Sequence, residues 1–151
     1  MIQLQDIPEH YTYCFAGKDV CPKAGTCLRA IAAQLQTESP NPQPATIRTV
    51  NALYVKQLPD PSACSEYRDS KPVRYAKGMT KLFDELPLKH ALSIRRKVMR
   101  YCFSCESYFY RSRKGTRLIS PEEQQSIINV FRSTGLDITP RFDELRDEID
   151  W

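Results

Sequence analysis

Basic side chains are concentrated between Arg95 and Arg117. This segment holds eight Lys and Arg residues against one acid, Glu106, so its net charge is 8 − 1 = +7, whereas the whole 151-residue chain carries +4. Aromatic side chains are interleaved with the charges, which gives the segment apolar groups to bury as well as cations to display. Cations displayed on an anchored helical surface are typical of proteins that bind the phosphate backbone of nucleic acid. The segment therefore predicts a nucleic-acid-binding surface.

Two helices are predicted to present these cations. Apolar residues at helical spacing predict the first helix from Leu88 to Tyr101. The second is expected from about Ser104 to Lys114, where Gly115 favours a helix end. Side chains of the second helix would enter a groove of DNA, and the basic residues after it would reach phosphates. The predicted nucleic-acid-binding residues are Arg95, Arg96, Arg100, Ser107, Tyr108, Arg111, Arg113, Lys114 and Arg117.

The same region resembles the recognition-helix region of phage-repressor-like helix-turn-helix proteins, over residues 90–133. The resemblance rests on the segment from Tyr108 to Gly115, in which aromatic and basic residues precede a glycine, and on the capped helix start Ser120-Pro121-Glu122-Glu123. The turn departs from that pattern, because Cys102-Phe103 stands where a small residue or glycine is usual. The resemblance implies a DNA-binding, regulator-like protein. Two other interpretations stay open, namely a solvated basic face on an ordinary helical bundle and a face that docks an acidic protein partner.

Four cysteines lie in turn-rich sequence, spaced C-x6-C-x5-C with the fourth far downstream. Four soft ligands on loops can close a tetrahedral site, and such a site would hold together a module that has few apolar residues of its own. Lys18, Lys23 and Arg29 are basic neighbours that favour thiolates, and His10 is an alternative ligand. Free or buried thiols, a disulfide and an iron–sulfur cluster stay open as alternatives. One structural Zn²⁺ is predicted at Cys14, Cys21, Cys27 and Cys64.

A second cysteine pair, Cys102 and Cys105, has the C-x2-C spacing of some redox and zinc motifs. Both residues continue the apolar stripe that runs from Ile94 through Val98, and no second pair follows them. We therefore expect two core cysteines, with a redox role as the alternative.

Other elements are predicted from periodicity and capping signals. One helix follows Cys27 and ends near Thr37, and another begins at the Ser120-Pro121-Glu122-Glu123 capping box. Prolines between residues 40 and 61 indicate a connector, in which the β-branched run 46–50 predicts a short strand. A further helix is predicted from the apolar residues Val73, Ala76, Met79, Phe83 and Leu86.

These elements predict a mainly α protein. We expect a helical bundle with a candidate helix-turn-helix, preceded by a loop-rich, cysteine-containing amino-terminal module. The expected domains are residues 1–70 (loop-rich cysteine module with one helix and a Pro-rich connector), 71–136 (helical domain) and 137–151 (acidic tail). The tail has a net charge of −4, and we expect a solvated helix or arm, or a segment that screens the basic face or meets a partner.

Composition and motifs favour a non-enzymatic binding protein. Only two histidines are present, and neither a Gly-rich phosphate loop nor a nucleophile–base pair is recognisable. The amino end lacks an export signal and no stretch has membrane-spanning length, which predicts a cytoplasmic protein without membrane partners. The alternatives are an adaptor for an acidic protein and a metal- or thiol-dependent redox protein.

Over nearly its full length the chain also resembles a family of small proteins from gut Bacteroidales. The shared pieces include Cys21-Pro22, Ala76-Lys77-Gly78-Met79-Thr80, Ile94-Arg95-Arg96 and the terminal Asp150-Trp151. That family has no established activity, so the resemblance implies a cytoplasmic bacterial setting and no mechanism.

Overall fold

The computed structural model describes residues 2–41 and 43–151, so Pro42 of the predicted connector lies outside the described residues. The chain divides into two compact units. Unit 1 comprises the described residues up to Lys71 together with Ile149–Trp151, and unit 2 comprises Pro72–Glu148. The chain therefore leaves unit 1 after Lys71 and returns to it for its last three residues.

Unit 1 combines short strands, short helices and turns. Its elements are β1 (Thr12–Tyr13), α1 (Leu28–Glu38), β2 (Arg48–Thr49) and α2 (Ala52–Gln57), with 3-10 turns at Leu4–Asp6 and Pro61–Ala63. Strands β1 and β2 pair in parallel. The predicted helix after Cys27 is confirmed as α1, and the predicted strand is confirmed in part as β2.

The apolar interior of unit 1 is small. Its buried apolar side chains are Cys21, Cys27, Leu28, Ala32, Ala33 and Val55. A second apolar contact lies near the chain ends, where the ring of Trp151 meets that of Tyr11 edge-on with centroids 5.2 Å apart. Among the described residues of unit 1, two of the six buried apolar residues are therefore cysteines, and two more are alanines.

Unit 2 is an antiparallel sheet covered by helices. Its elements are β3 (Val73–Lys77), α3 (Leu88–Tyr101), α4 (Glu106–Arg113), β4 (Leu118–Ile119), α5 (Pro121–Arg132) and β5 (Glu144–Glu148). The strand order is β4-β3-β5, and both pairings are antiparallel. Helix α5 contacts both β3 and α3. The core between them contains Ala76, Met79, Leu82, Leu86, Ile94, Val98, Cys102, Phe103, Phe109, Ile119, Ile127 and Phe131.

Local signals fix the helices of unit 2 where the sequence predicted them. The hydroxyl of Ser120 accepts a hydrogen bond from the backbone N–H of Glu123, and the Glu123 carboxylate accepts one from the N–H of Ser120. This capping box, with Pro121 in the first turn, starts α5. Gly115 and Gly135 follow α4 and α5 with φ of 73° and 70°, which glycine adopts without a Cβ clash.

The predicted mainly α helical bundle is wrong. The chain is mixed α/β, with 38% of its residues helical and 12% in strands. The main error concerns Val73–Lys77, which the sequence assigned to a helix and which forms the central strand of a three-stranded sheet. The spacing of Val73, Ala76 and Met79 fits a helix, but the pairing of β3 with β5 over five residues stabilises the extended backbone. Gly78, with φ of 78°, then ends the strand.

The acidic tail is also not the expected solvated helix or arm, because Glu144–Glu148 forms β5. Two carboxylates of β5 form ion pairs with arginines of unit 2. Arg74 on β3 pairs with Asp147 at 2.9 Å, and Arg146 pairs with Glu144 at 2.7 Å. These pairs are exposed, so each contributes little stability. Arg74 and Asp147 lie directly opposite each other on β3 and β5, so their opposite charges favour this register.

Asp143, directly before β5, clamps the loop that follows β3. Its carboxylate accepts hydrogen bonds from the N–H of Thr80 at 2.9 Å and from the Thr80 hydroxyl at 2.9 Å. Its own N–H donates to the carbonyl of Gly78 at 3.1 Å. A Cβ added at Gly78 would lie 2.5 Å from a carboxylate oxygen of Asp143, so only glycine lets the two segments approach this closely.

We expect Gly78→Ala to lower the free energy of unfolding by about 3 kcal/mol. The added Cβ would be strained at the positive φ and would displace the Asp143 carboxylate from its hydrogen bonds with Thr80. Gly135→Ala is the matched control, since φ is 70° there and nothing lies within 4 Å of the added Cβ. It should cost about 1 kcal/mol. Urea unfolding of both variants measures the difference, and equal losses would show that the contact with Asp143 has no effect.

Asp143 should also make stability depend on pH. Partial burial opposes its ionisation, but the hydrogen bonds from Thr80 outweigh burial and lower the pKa of the carboxyl below its ordinary 3.8. Because the folded-state pKa is the lower one, the stabilisation is present above the unfolded-state pKa and is lost as the pH falls toward the folded-state pKa. Between about pH 5 and pH 3, unfolding free energy should therefore fall more steeply in the wild type than in Asp143→Asn. Asp137→Asn, at an exposed carboxylate, should keep the wild-type slope.

Candidate functional site

Helix α3 presents a basic stripe to solvent. Residues at positions 89, 92, 93, 96, 97, 100 and 101 lie on one side of the helix because they repeat every three or four residues. The opposite side buries Ile94 and Val98 in the core of unit 2. We call the outer side the α3 face; all seven of its residues are exposed and line one open groove: Lys89, Leu92, Ser93, Arg96, Lys97, Arg100 and Tyr101.

The four cations of the α3 face have no counter-charge within the described part of the chain. None of them forms an ion pair with a carboxylate there. Five arginines elsewhere do form such pairs, namely Arg29, Arg74, Arg117, Arg141 and Arg146. The α3 face is thus a stripe of four unneutralised charges, about 16 Å long at the rise of an α-helix.

Two of the predicted binding residues lie against the protein. The guanidinium of Arg95 is half-buried and stands over the ring of Phe109 at 5.8 Å. Arg117 pairs with Glu123 through two hydrogen bonds of 2.9 Å, donates to the hydroxyl of Ser112 at 3.1 Å, and covers the ring of Tyr108 at 4.6 Å. Because Glu123 also closes the capping box of α5, Arg117 joins that helix start to α4.

The other predicted residues divide between exposed and partly buried positions. Arg96 and Arg100 belong to the α3 face. On α4 and just after it, Ser107, Tyr108, Arg111 and Lys114 are exposed, whereas Arg113 is half-buried. Ser112, on the same helix, is buried. The structure therefore brings Arg96 and Arg100 together with Lys89 and Lys97.

The predicted binding residues omitted two cations of this surface, Lys89 and Lys97. The charge-rich window began at Arg95, and Lys89 lies outside it. The available signal was helical spacing, since Lys89 precedes Arg96 by seven residues and therefore shares its side of the helix.

The four amino-terminal cysteines line one cavity of about 20 Å³ in unit 1. Lys23 and Arg29 also line it, whereas His10, the alternative ligand, does not. Cys21 and Cys27 are buried, and Cys14 and Cys64 are half-buried. Burial raises the pKa of the Cys14 thiol, and the nearby Cys27, Cys21 and Cys64 raise it further. All four sulfurs therefore share one environment, although no three His, Cys, Asp or Glu side chains of the described residues are arranged to hold a metal ion.

The second cysteine pair is split between core and surface. Cys102 is buried as predicted, but Cys105 is exposed, so the prediction of two core cysteines is half wrong. Burial, with a smaller effect from Glu123, raises the pKa of the Cys102 thiol to about 11. The Cys102 thiol is therefore protonated at neutral pH and is a poor nucleophile.

The fold and site define a two-unit α/β protein, in which one unit carries an exposed basic helix and the other a cluster of four cysteines. The chain matches the family of unknown function DUF6078 over residues 1–151 and belongs to that family. No curated protein and no solved structure matches it. Among the described residues, no helix combines the length and apolar character needed to cross a membrane.

We expect Arg117→Met to lower the free energy of unfolding by roughly 2 kcal/mol, because it leaves the partly buried Glu123 carboxylate without its bidentate partner. Lys114→Met removes an exposed cation three residues away and should change stability by less than about 0.5 kcal/mol. Chemical denaturation of the two variants tests this. Equal stability of both would mean that Arg117 does not join α4 to α5.

Proposed function

We propose that this protein binds nucleic acid through the α3 face, with the phosphate backbone of DNA as its ligand. The observation that carries the proposal is the set of four exposed cations without carboxylate partners among the described residues. Phosphates are the anions that such a stripe would neutralise, and release of condensed counterions from DNA supplies the driving force.

Charge placement elsewhere in unit 2 supports this proposal. Two of the three β5 carboxylates, Asp147 and Glu144, pair with Arg74 and Arg146 in their own sheet. Among the described residues, no ion pair joins a β5 carboxylate to a cation of the α3 face. The anchoring of α3 through Ile94 and Val98 holds the stripe on a rigid helix, which lowers the entropy lost when it meets a ligand.

Backbone contacts alone position a protein on DNA without reading its sequence. The proposal is accordingly one of weakly selective, salt-sensitive binding. It rests on charge and exposure and requires no helix-turn-helix. It includes the bacterial, cytoplasmic setting implied by the Bacteroidales resemblance, which would give the α3 face access to the DNA of the cell.

The test is fluorescence anisotropy of a labelled mixed-sequence duplex with the full chain over a series of salt concentrations. Four neutralised phosphates give a log–log slope on the order of −3.6. Arg96→Gln with Lys97→Gln should reduce the slope by about 1.8, and Arg96→Glu with Arg100→Glu should abolish binding at moderate salt. Arg111→Glu with Arg113→Glu tests whether the predicted residues of α4 take part.

The matched control is Lys56→Glu with Arg132→Glu, which makes the same change in net charge at exposed residues outside the α3 face. It should retain most of the affinity. If it weakens binding as much as the α3 pair does, binding follows net charge and the α3 face is not the site. Failure of the wild type to bind at low salt would end the proposal.

A second candidate is the docking of an acidic protein partner. Leu92 on the α3 face is 59% exposed, and Leu88 at the start of α3 is 94% exposed. Apolar side chains beside cations fit a protein surface better than a sugar-phosphate backbone, which offers them little to contact. Leu88→Ser with Leu92→Ser separates the two candidates, because DNA binding should survive this change and binding to an acidic, apolar protein surface should not.

A further inference from the structure

We propose that Cys14, Cys21, Cys27 and Cys64 bind one Zn²⁺ as four thiolates and that this ion holds unit 1 together. The proposal is independent of DNA binding, because it concerns other residues in the other unit. Cysteine thiolates are preferred zinc ligands, and sites with four protein ligands are structural rather than catalytic.

Backbone hydrogen bonds bring three of the cysteine segments together. The N–H of Cys14 donates to the carbonyl of Arg29 at 3.0 Å, two residues after Cys27. Cys27 itself forms an antiparallel bridge with Asp69, five residues after Cys64. Backbone contacts therefore hold the segments around Cys14, Cys27 and Cys64 side by side without a ligand.

Two basic side chains fasten the remaining segments. Arg29 donates to the carbonyls of Thr12 at 3.2 Å and Glu66 at 3.0 Å, and therefore joins the chain near Cys14 to the chain near Cys64. The ammonium of Lys23 donates to the carbonyl of Ser62 at 2.6 Å, which joins the chain after Cys21 to the same loop. All four cysteine segments are therefore held by contacts outside the thiols.

The cavity between the thiols has a size and lining that suit an ion rather than an organic ligand. Its volume of about 20 Å³ is close to that of one water molecule's site. Apart from the thiols it is bounded in part by Ala30, Val50 and Val55. No three metal-ligating side chains of the described residues are already arranged to hold an ion. Binding therefore requires the thiols to rearrange until each sulfur lies about 2.3 Å from the Zn²⁺.

Charge balance favours the bound state. Four thiols lose four protons to solvent when they coordinate Zn²⁺, which leaves a centre with net charge −2. Lys23 and Arg29 line the same cavity and offset this charge, with Arg29 shared with Glu66 at 3.1 Å. Their hydrogen bonds to backbone carbonyls hold both cations beside the thiols, where they would lower the electrostatic cost of forming four thiolates.

The thin core of unit 1 gives the ion a structural role. The buried apolar side chains are small apart from Leu28 and Val55, and two of them are the cysteines themselves. Units of this size with so little apolar burial generally need a metal or disulfides to fold. Metal binding then contributes directly to folding free energy.

The first measurement is the metal content of the full chain, expressed with zinc and purified without chelator, by inductively coupled plasma mass spectrometry. The expected result is one zinc per chain, released into a colorimetric zinc indicator as an organomercurial titrates the thiols. Cobalt loading should give thiolate-to-metal charge-transfer bands and the visible bands of tetrahedral cobalt. These readouts use the wild type, so they hold even if a variant fails to fold.

Variants then assign the ligands. Cys64→Ser should lose the zinc, and Cys64→His should keep it with shifted cobalt bands. Cys105→Ser removes an exposed cysteine of unit 2 and should leave metal content and cobalt spectrum unchanged. The proposal is overturned by a folded chain that binds neither zinc nor cobalt, by disulfides among these four cysteines in mass spectra of unreduced protein, or by iron with acid-labile sulfide.

Discussion

The hydrogen bonds between Asp143 and the loop after β3 are the constraint on which unit 2 depends. They join segments more than sixty residues apart in the sequence and set the point at which β5 begins beside β3. The resulting sheet supports α5, and α5 in turn contacts α3. The burial of Ile94 and Val98 against this core then turns the opposite side of α3 to solvent. A carboxylate far from the basic stripe thereby helps to orient it.

The helices α1, α3, α4 and α5 could be predicted because their signals are local, whereas the short helix α2 was not predicted. Each signal lies within or directly after a single helix and gave the correct element. The signals are the capping box of α5, the glycines after α4 and α5, and the apolar spacing of α1 and α3. The strands β3 and β5 could not be predicted in the same way, since each is stabilised by a partner distant in the sequence. In addition, β5 lacks the alternation of apolar and polar residues that predicts a strand, because it consists mostly of exposed charged residues.

The candidate binding surface could be predicted only in part. A window of net charge treats neighbouring cations as one surface, whereas a helix distributes them around its axis. Arg95 consequently lies over Phe109, and Arg117 is bound to Glu123, although both contributed to the predicted charge. Lys89 lies outside that window but on the exposed side of α3, together with Arg96 and Arg100. The four cysteines were grouped by residue type, and the structure brings them to one cavity that no spacing rule required.

The pairing of Val73 with Glu148 has a consequence for the folding of unit 1. Unit 2 is inserted into unit 1, and its first and last strands lie side by side, about 5 Å apart. Once unit 2 has folded, the 77 residues from 72 to 148 (148 − 72 + 1) act as a short loop rather than a long one. The loop between Tyr11 and Trp151 is then roughly halved, which lowers the entropic cost of their ring contact by about 0.6 kcal/mol.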